Sequence, residues 1–318
     1  MNVLTSEAFT RLDPGKFVSP LVTLDGKPRA SVVLSAVRTL WFNTGTLCNL
    51  TCANCYIESS PSNDRLAYIG VGDVAPFLDE LRAAGESDAE IGFTGGEPFM
   101  NPSLIAILEL ALSRGHPVLV LTNAMRPMMK RKDELLALKG RHGARLTLRV
   151  SLDHYDEARH AEERGARSWG PTIGGLTWLA RHGFTLHVAG RTRWNEDEAS
   201  LRAGYARLFE RLGIGVDAFD PRRLVLFPEM DERVDVPEIS EACWSILGKR
   251  PDAMMCATSR MVVKRKDDAG ALVMPCTLLP YDDRFAMGRT LAEARGPVAL
   301  NHPHCAKFCV LGGGSCSA

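Results

Sequence analysis

Between Arg38 and about residue 230 the chain alternates six times between short apolar runs and amphipathic stretches. Few architectures accept such a rhythm. Residues 39–43, 91–94, 118–122, 146–152, 185–189 and 224–227 read as buried strands. Between them, Val74, Phe77, Leu78 and Leu81 fall at i, i+3, i+4 and i+7, one face of a helix. Leu104, Leu108, Ala111 and Leu112 repeat the pattern after the helix start Asn101-Pro102. Leu135 with Leu138, then Ile173, Leu176 and Leu179, then Leu201, Tyr205, Leu208 and Leu212 continue the series. Such alternation means parallel strands joined by crossover helices, in an open doubly wound sheet or a partial barrel. No Gly-x-Gly-x-x-Gly follows the first strand, which weakens the dinucleotide-binding version.

The rhythm divides the chain into an irregular lead-in (1–37), an α/β body (38–236) and a C-terminal unit (237–318) of different character. In the last, residues 260–264 and 271–274 flank the charged turn Asp267-Asp268-Ala269-Gly270 and read as a hairpin. The 38 Lys and Arg balance the 38 Asp and Glu, so nothing suggests a nucleic-acid partner. No apolar run reaches the roughly 18–20 residues of a membrane span, and the first 20 residues lack a signal-peptide core. A cytoplasmic protein away from membranes is expected. There, nine cysteines point to metal or redox chemistry rather than disulfides.

The cysteines fall into two groups. Cys48, Cys52 and Cys55 lie in a loop straight after the first strand; Cys243, Cys256, Cys276, Cys305, Cys309 and Cys316 lie near the C-terminus. Three thiolates within eight residues can converge on one metal centre. Tetrahedral zinc ordinarily wants a fourth protein ligand, and no His or Cys follows within the next 50 residues. A cubane iron–sulfur cluster with three cysteines leaves one iron open to another ligand. Zinc and three unrelated buried thiols remain the competing readings.

The spacing Cys48-x3-Cys52-x2-Cys55 after a first strand resembles the signature of the radical S-adenosylmethionine enzymes, and four further segments resemble that family in order. Gly95-Gly96-Glu97-Pro98 follows the second strand and resembles the motif holding the methionine amino group. Thr122-Asn123 ends the third strand. Ser151-Leu152-Asp153 ends the fourth and resembles the segment near the ribose and carboxylate. Arg164-Gly165 resembles the pair that anchors the carboxylate. The resemblance covers roughly residues 39–227. It implies a partial (β/α)6 TIM-like barrel, a 4Fe–4S cluster on Cys48, Cys52 and Cys55, and S-adenosylmethionine contacts from Gly95, Gly96, Glu97, Pro98, Asn123, Ser151, Asp153, Arg164 and Arg191. Reductive cleavage of the cofactor would give a 5′-deoxyadenosyl radical that removes hydrogen from a substrate. Two departures leave the adenine contacts open: Asn54 stands where many members carry an aromatic residue, and no glycine-rich adenine motif is plain in 186–191.

The C-terminal layout, Cys256 and Cys276 around the hairpin and then Cys305-x3-Cys309-x6-Cys316, resembles the twitch domain, a shorter relative of the SPASM domain that carries auxiliary 4Fe–4S clusters. One auxiliary cluster on four of the five is expected, with zinc or free thiols as alternatives. Cys243, beside Trp244, reads as structural. His187, Arg191, Arg193 and Glu229 follow the fifth and sixth strands, where barrel chemistry sits. Asp153-His154-Tyr155 could transfer protons or simply form a turn, and His302 and His304 read as positioning a loop. No catalytic acid or base is singled out. The family implies an electron donor such as flavodoxin or ferredoxin. The 37-residue lead-in is too short for an added peptide-binding domain, which tilts the substrate toward a small molecule or short peptide. A zinc- or iron–sulfur-bearing binding or regulatory protein without radical turnover is the other class considered.

Overall fold

The computed structural model describes residues 10–229 and 231–314. Six strands run in parallel, each beside its predecessor: β1 (Thr39–Asn43), β2 (Glu90–Thr94), β3 (Val118–Thr122), β4 (Leu146–Ser151), β5 (Thr185–Arg191) and β6 (Leu224–Phe227). Two more, β7 (Ser259–Val263) and β8 (Leu272–Met274), extend the sheet beyond β1, giving the order β6-β5-β4-β3-β2-β1-β7-β8. The sheet ends without pairing β6 to β8, so the barrel is partial. The expected hairpin forms with Met261 opposite Met274. However, its first strand pairs parallel to β1, Trp41 opposite Met261, so the hairpin continues the barrel's own sheet.

Helices α1 (Val71–Ala83), α2 (Leu104–Ser113), α3 (Lys132–His142), α4 (Glu157–Arg164), α5 (Trp169–Arg181) and α6 (Glu198–Leu212) make the crossovers. The predicted stripes are their buried faces: Val74, Phe77, Leu78 and Leu81 on α1, and Leu104, Leu108, Ala111 and Leu112 on α2. Each fully buried leucine contributes roughly 1.5–3 kcal/mol. α4 escapes the sequence pattern because its buried residues are His160 and Glu163. Asp156 caps it, its side chain accepting from Arg159 N, and Gly165 ends it at φ 88°. A side chain there would be strained, so the helix stops directly after Arg164.

Two apolar layers result. Outside the sheet, Leu40, Phe42, Ile91, Phe93, Val118, Val120, Leu148 and Val150 meet the helices. Inside, Trp41, Leu119 and Met261 join a core shared with Met254, Leu278 and Phe308 of the C-terminal region. Strand alternation sorts the two sets. The lead-in is fastened to this second core by a pairing of Ser31–Val32 with Val298–Ala299 and by a buried Arg29–Glu238 ion pair. Among the described residues, no helix is long and apolar enough to cross a membrane.

Candidate active site

A cavity opens at the C-terminal ends of the strands, as the barrel rule expects. Cys48, Cys52 and Cys55 line it together with Gly95, Gly96, Pro98, Asn123, Ser151, Asp153, Arg164 and Arg191. Of the expected cofactor-side residues, Glu97 alone stands behind that wall, 1% exposed.

The cysteine loop leaves β1 and packs on the turn after β2. Gly96 N donates to Gly45 O (2.9 Å) and Glu97 N to Leu47 O (3.1 Å), while Cys48 N donates to Ser60 O (3.0 Å). A Cβ at position 96 would lie 2.2 Å from Leu47 O, so only glycine permits the approach. The Glu97 carboxylate accepts from Thr122 Oγ1 (2.9 Å), Asn123 N (2.8 Å) and Phe99 N (3.2 Å). Burial pushes its pKa up to about 7 against the pull of those three donors. Asn123 Nδ2 in turn donates to Asn49 Oδ1 (3.0 Å), next to Cys48.

Arg164 makes a two-point contact with Asp153, Nε to Oδ2 at 2.6 Å and Nη2 to Oδ1 at 3.2 Å. Burial disfavours the Asp153 charge, but the guanidinium outweighs it and holds the carboxyl below its usual range. Asp153 N also donates to His160 Nδ1 (3.3 Å), and burial with the nearby Arg164 lowers His160 to about 4. Arg191 N donates to Asp153 O (3.0 Å), binding the ends of β4 and β5 together. Leu121, Phe227, Leu278 and Phe308 add apolar lining to the same cavity, with the two phenylalanine rings 5.7 Å apart.

A smaller cavity in the C-terminal region is lined by Cys256, Cys276, Cys305 and Cys309 with His304. Cys316 lies outside the described residues. Cys243 stands apart, its Sγ 3.5 Å from Ser240 Oγ.

Both thiol sets suit a metal-containing group. Burial pushes Cys48 and Cys305 up to about 12 and Cys256 to about 11, so their thiolates need a cation to form. Among the described residues no three cysteine sulfurs lie within 4.8 Å of one another. A tetrahedral zinc with bonds of about 2.3 Å needs thiolates about 3.8 Å apart. Neither cysteine set forms a group of that kind among the described residues.

Other sequence candidates fall elsewhere. His187 sits deeper inside the barrel, and burial together with Arg149 lowers it to about 4. His154 Nε2 faces Glu196 (3.2 Å) and Tyr155 donates to it (2.8 Å), a latch at the foot of α6. Glu232, His302 and His304 converge, but His302 Nδ1 accepts from His304 N (3.1 Å). In neutral His302 the proton therefore lies on Nε2, 3.6 Å from the Glu232 carboxylate, so the nitrogen on that side is a donor and not a free ligand atom. Sequence reasoning missed Glu163, whose unexposed carboxylate accepts from Asn54, Arg191 and Arg193.

Residues 42–198 match the family described as the Radical SAM superfamily. The antilisterial bacteriocin subtilosin biosynthesis protein AlbA of Bacillus subtilis (strain 168) is 34% identical over 143 residues, 45% of this chain and 30% of that protein. The 7-carboxy-7-deazaguanine synthase of Methanopyrus kandleri is 32% identical over 130 residues, 36% of this chain and 44% of that protein. The chain thus matches less than half the length of either curated relative. Among solved structures, Streptococcus suis SuiB bound to its precursor peptide SuiA is similar with a TM-score of 0.58 at 13% identity, over 83% of this chain and 66% of SuiB. The anSMEcpe protein with bound AdoMet and Cp18Cys peptide gives 0.54 at 14%, over 80% of this chain and 79% of that one. At such identities the likeness is one of fold.

Proposed function

This chain belongs to the radical S-adenosylmethionine superfamily, and from that membership we propose a radical enzyme that removes hydrogen from a peptide substrate, with the two cysteine sets holding separate 4Fe–4S clusters. The observation that carries the reading is the single cavity shared by Cys48, Cys52, Cys55 and the cofactor-side residues from β2, β4, α4 and β5. The family's cluster and S-adenosylmethionine supply, when bound, a one-electron reductive cleavage that yields a hydrogen-abstracting carbon radical. The chain's own work is binding, orientation and exclusion of water. Glu97 receives the cofactor's ammonium through the Gly95–Pro98 turn. Ser151 and the free N–H groups of Arg164 receive its carboxylate, with Asp153 fixing the guanidinium plane. Asn123 and Arg191 complete the polar side. Leu121, Phe227, Leu278 and Phe308 supply the apolar lining that excludes water.

Cys256, Cys276, Cys305 and Cys309 are the auxiliary ligands in this reading, within a C-terminal twitch-like unit of residues 237–318 that follows the barrel of residues 38–236. A peptide is favoured because the fold is similar to proteins captured with bound peptides. A groove between residues 11–18, Tyr56–Arg65 and Leu278–His304 also meets the cavity at Tyr56 and Leu278, a route suited to an extended chain. In this reading the electron that starts the cleavage is drawn from a flavodoxin or ferredoxin.

The test is 5′-deoxyadenosine formation by anaerobically reconstituted, chemically reduced protein. The parent chain produces it. The triple Cys48→Ala/Cys52→Ala/Cys55→Ala variant does not, while retaining its C-terminal cluster. Cleavage by the triple variant would sink the assignment.

A further inference from the structure

The cysteine loop departs from the family pattern at Asn54, directly before the third cysteine, and the structure shows what that residue does. Asn54 Nδ2 reaches both oxygens of the Glu163 carboxylate, at 2.9 and 3.2 Å. Ala53 N donates to the Glu163 main-chain carbonyl at 2.8 Å. Arg191 Nη1 donates to Asn54 O and to Glu163 Oε2, both at 3.2 Å, and Arg193 pairs with Oε1. Both residues between Cys52 and Cys55 are therefore fastened to one residue, Ala53 through the Glu163 main chain and Asn54 through a carboxylate with no solvent exposure. Asn54 and Arg191 also line the cavity. Glu229 lies 3.5 Å from Arg191 and 4.0 Å from Arg193, so two carboxylates balance two guanidinium groups there.

We propose that Glu163 is a positioning residue for the Cys48–Cys55 cluster, clamping the Cys52–Cys55 segment through Asn54 and cancelling the positive charge that Arg191 and Arg193 would otherwise place beside it. The proposal rests on the reading that these cysteines hold a 4Fe–4S cluster. Two consequences follow from the geometry. Without the carboxylate the loop loses the Asn54 half of its anchor and keeps only the main-chain bond from Ala53. Without the charge, Glu229 alone faces the two guanidinium groups, and the one uncompensated positive charge stabilises the cluster's more negative, reduced form and raises its midpoint potential.

The experiment uses the full chain, reconstituted anaerobically, with a redox titration followed by electron paramagnetic resonance and an iron-release assay with a chelator. Glu163→Gln keeps the volume and one acceptor oxygen; it is expected to hold its iron about as the parent does, with a higher midpoint potential. Glu163→Ala is expected to release the first cluster's iron roughly tenfold faster, the scale of one lost charge-assisted hydrogen bond. Asn54→Ala should reproduce that release and add little to it in the double variant. Glu162→Gln is the control, because Glu162 is exposed and bonds only Trp194 within the described residues; neither readout should move. An unmoved potential in Glu163→Gln, with the circular-dichroism spectrum of the parent, would overturn the charge-cancelling role. Parent-like iron release from Glu163→Ala would overturn the clamp. A parent chain that assembles no cluster on Cys48, Cys52 and Cys55 would instead sink the underlying reading.

Discussion

Glu97 is buried with no ion pair among the described residues and held by three donors, a combination that makes opposite demands on stability and on binding. Its carboxyl is pushed up to about 7 from an ordinary 4.5. Between those two pH values the native chain holds a proton that the unfolded chain has released. The stabilising contribution is therefore complete below about pH 4.5 and is lost as pH rises through 7. At roughly 1.4 kcal/mol per pH unit, the loss amounts to about 3 kcal/mol. Glu97→Gln carries no such titration. Its altered hydrogen bonds shift stability by an offset that does not change with pH, so the informative quantity is the difference between variant and parent. Urea unfolding of the metal-free proteins at pH 5, 6, 7 and 8 should show that difference moving by about 2.5 kcal/mol in favour of glutamine, the rest of the loss falling below pH 5. Working on the difference also removes the histidines lowered to about 4, such as His160, which push both proteins' stability the other way. The same substitution should weaken S-adenosylmethionine binding about 10- to 150-fold, because a charge-assisted hydrogen bond is worth roughly 1.5–3 kcal/mol. Calorimetric titration of the cluster-loaded proteins measures it. A stability difference that is flat from pH 5 to 8 would refute the burial argument, and unchanged affinity would remove Glu97 from the cofactor site.

Asp153→Asn leaves the Arg164 guanidinium buried without its counter-charge and should cost about 3–5 kcal/mol in urea unfolding; Arg164→Lys should weaken cofactor binding in calorimetry, since lysine cannot make the fork seen at 2.6 and 3.2 Å. Reconstituted parent protein should hold about eight irons, from two four-iron clusters. Cys309→Ser should bring that to about four while Cys316→Ser leaves it unchanged; an iron loss confined to Cys316→Ser would reassign the auxiliary ligands.

The six barrel strands were legible because each is a short apolar run bounded by turns, and their helices because each buries an apolar stripe. α4 was not, because the face it buries is polar: His160 and Glu163, with Arg164 beside them, keep the i, i+3, i+4 spacing while offering no hydrophobic signal. That one omission concealed Glu163 and its grip on the cysteine loop. The hairpin was legible as a hairpin, but its parallel pairing with β1 joins residues about 220 positions apart and leaves no local trace. Likewise, spacing alone offers no choice among five C-terminal cysteines. Tertiary packing gathers four of them, Cys256, Cys276, Cys305 and Cys309, around one small cavity with Leu278, Leu279, Val298 and Leu300, while Cys316 lies outside the described residues. His154 and Tyr155, adjacent to a site residue in sequence, point instead to Glu196, because the chain turns after Asp153 to begin α4.

The β1–β7 ladder has a consequence for how the two cysteine sets relate. The Cys48 loop leaves the C-terminal end of β1. Cys256 precedes β7 by three residues and Cys276 follows the antiparallel β8 by two, so both lie past the opposite end of the same ladder. A five-residue strand spans roughly 16 Å, and that length, rather than a flexible linker, sets the spacing between the two sites. Leu278, two residues beyond Cys276, lines both cavities and so forms part of the partition between them. Phe308 reaches the barrel cavity from the same C-terminal region and packs its ring, tilted by 32°, against Phe227 at the end of β6. The C-terminal region is therefore built into the wall of the barrel cavity. A one-residue slip of β7 against β1 would turn Met261 out of the inner core and displace Cys256 and the Leu278 partition together. Variation in the exposed turn of residues 266–270 would leave the ladder, and with it the spacing of the two sites, in place.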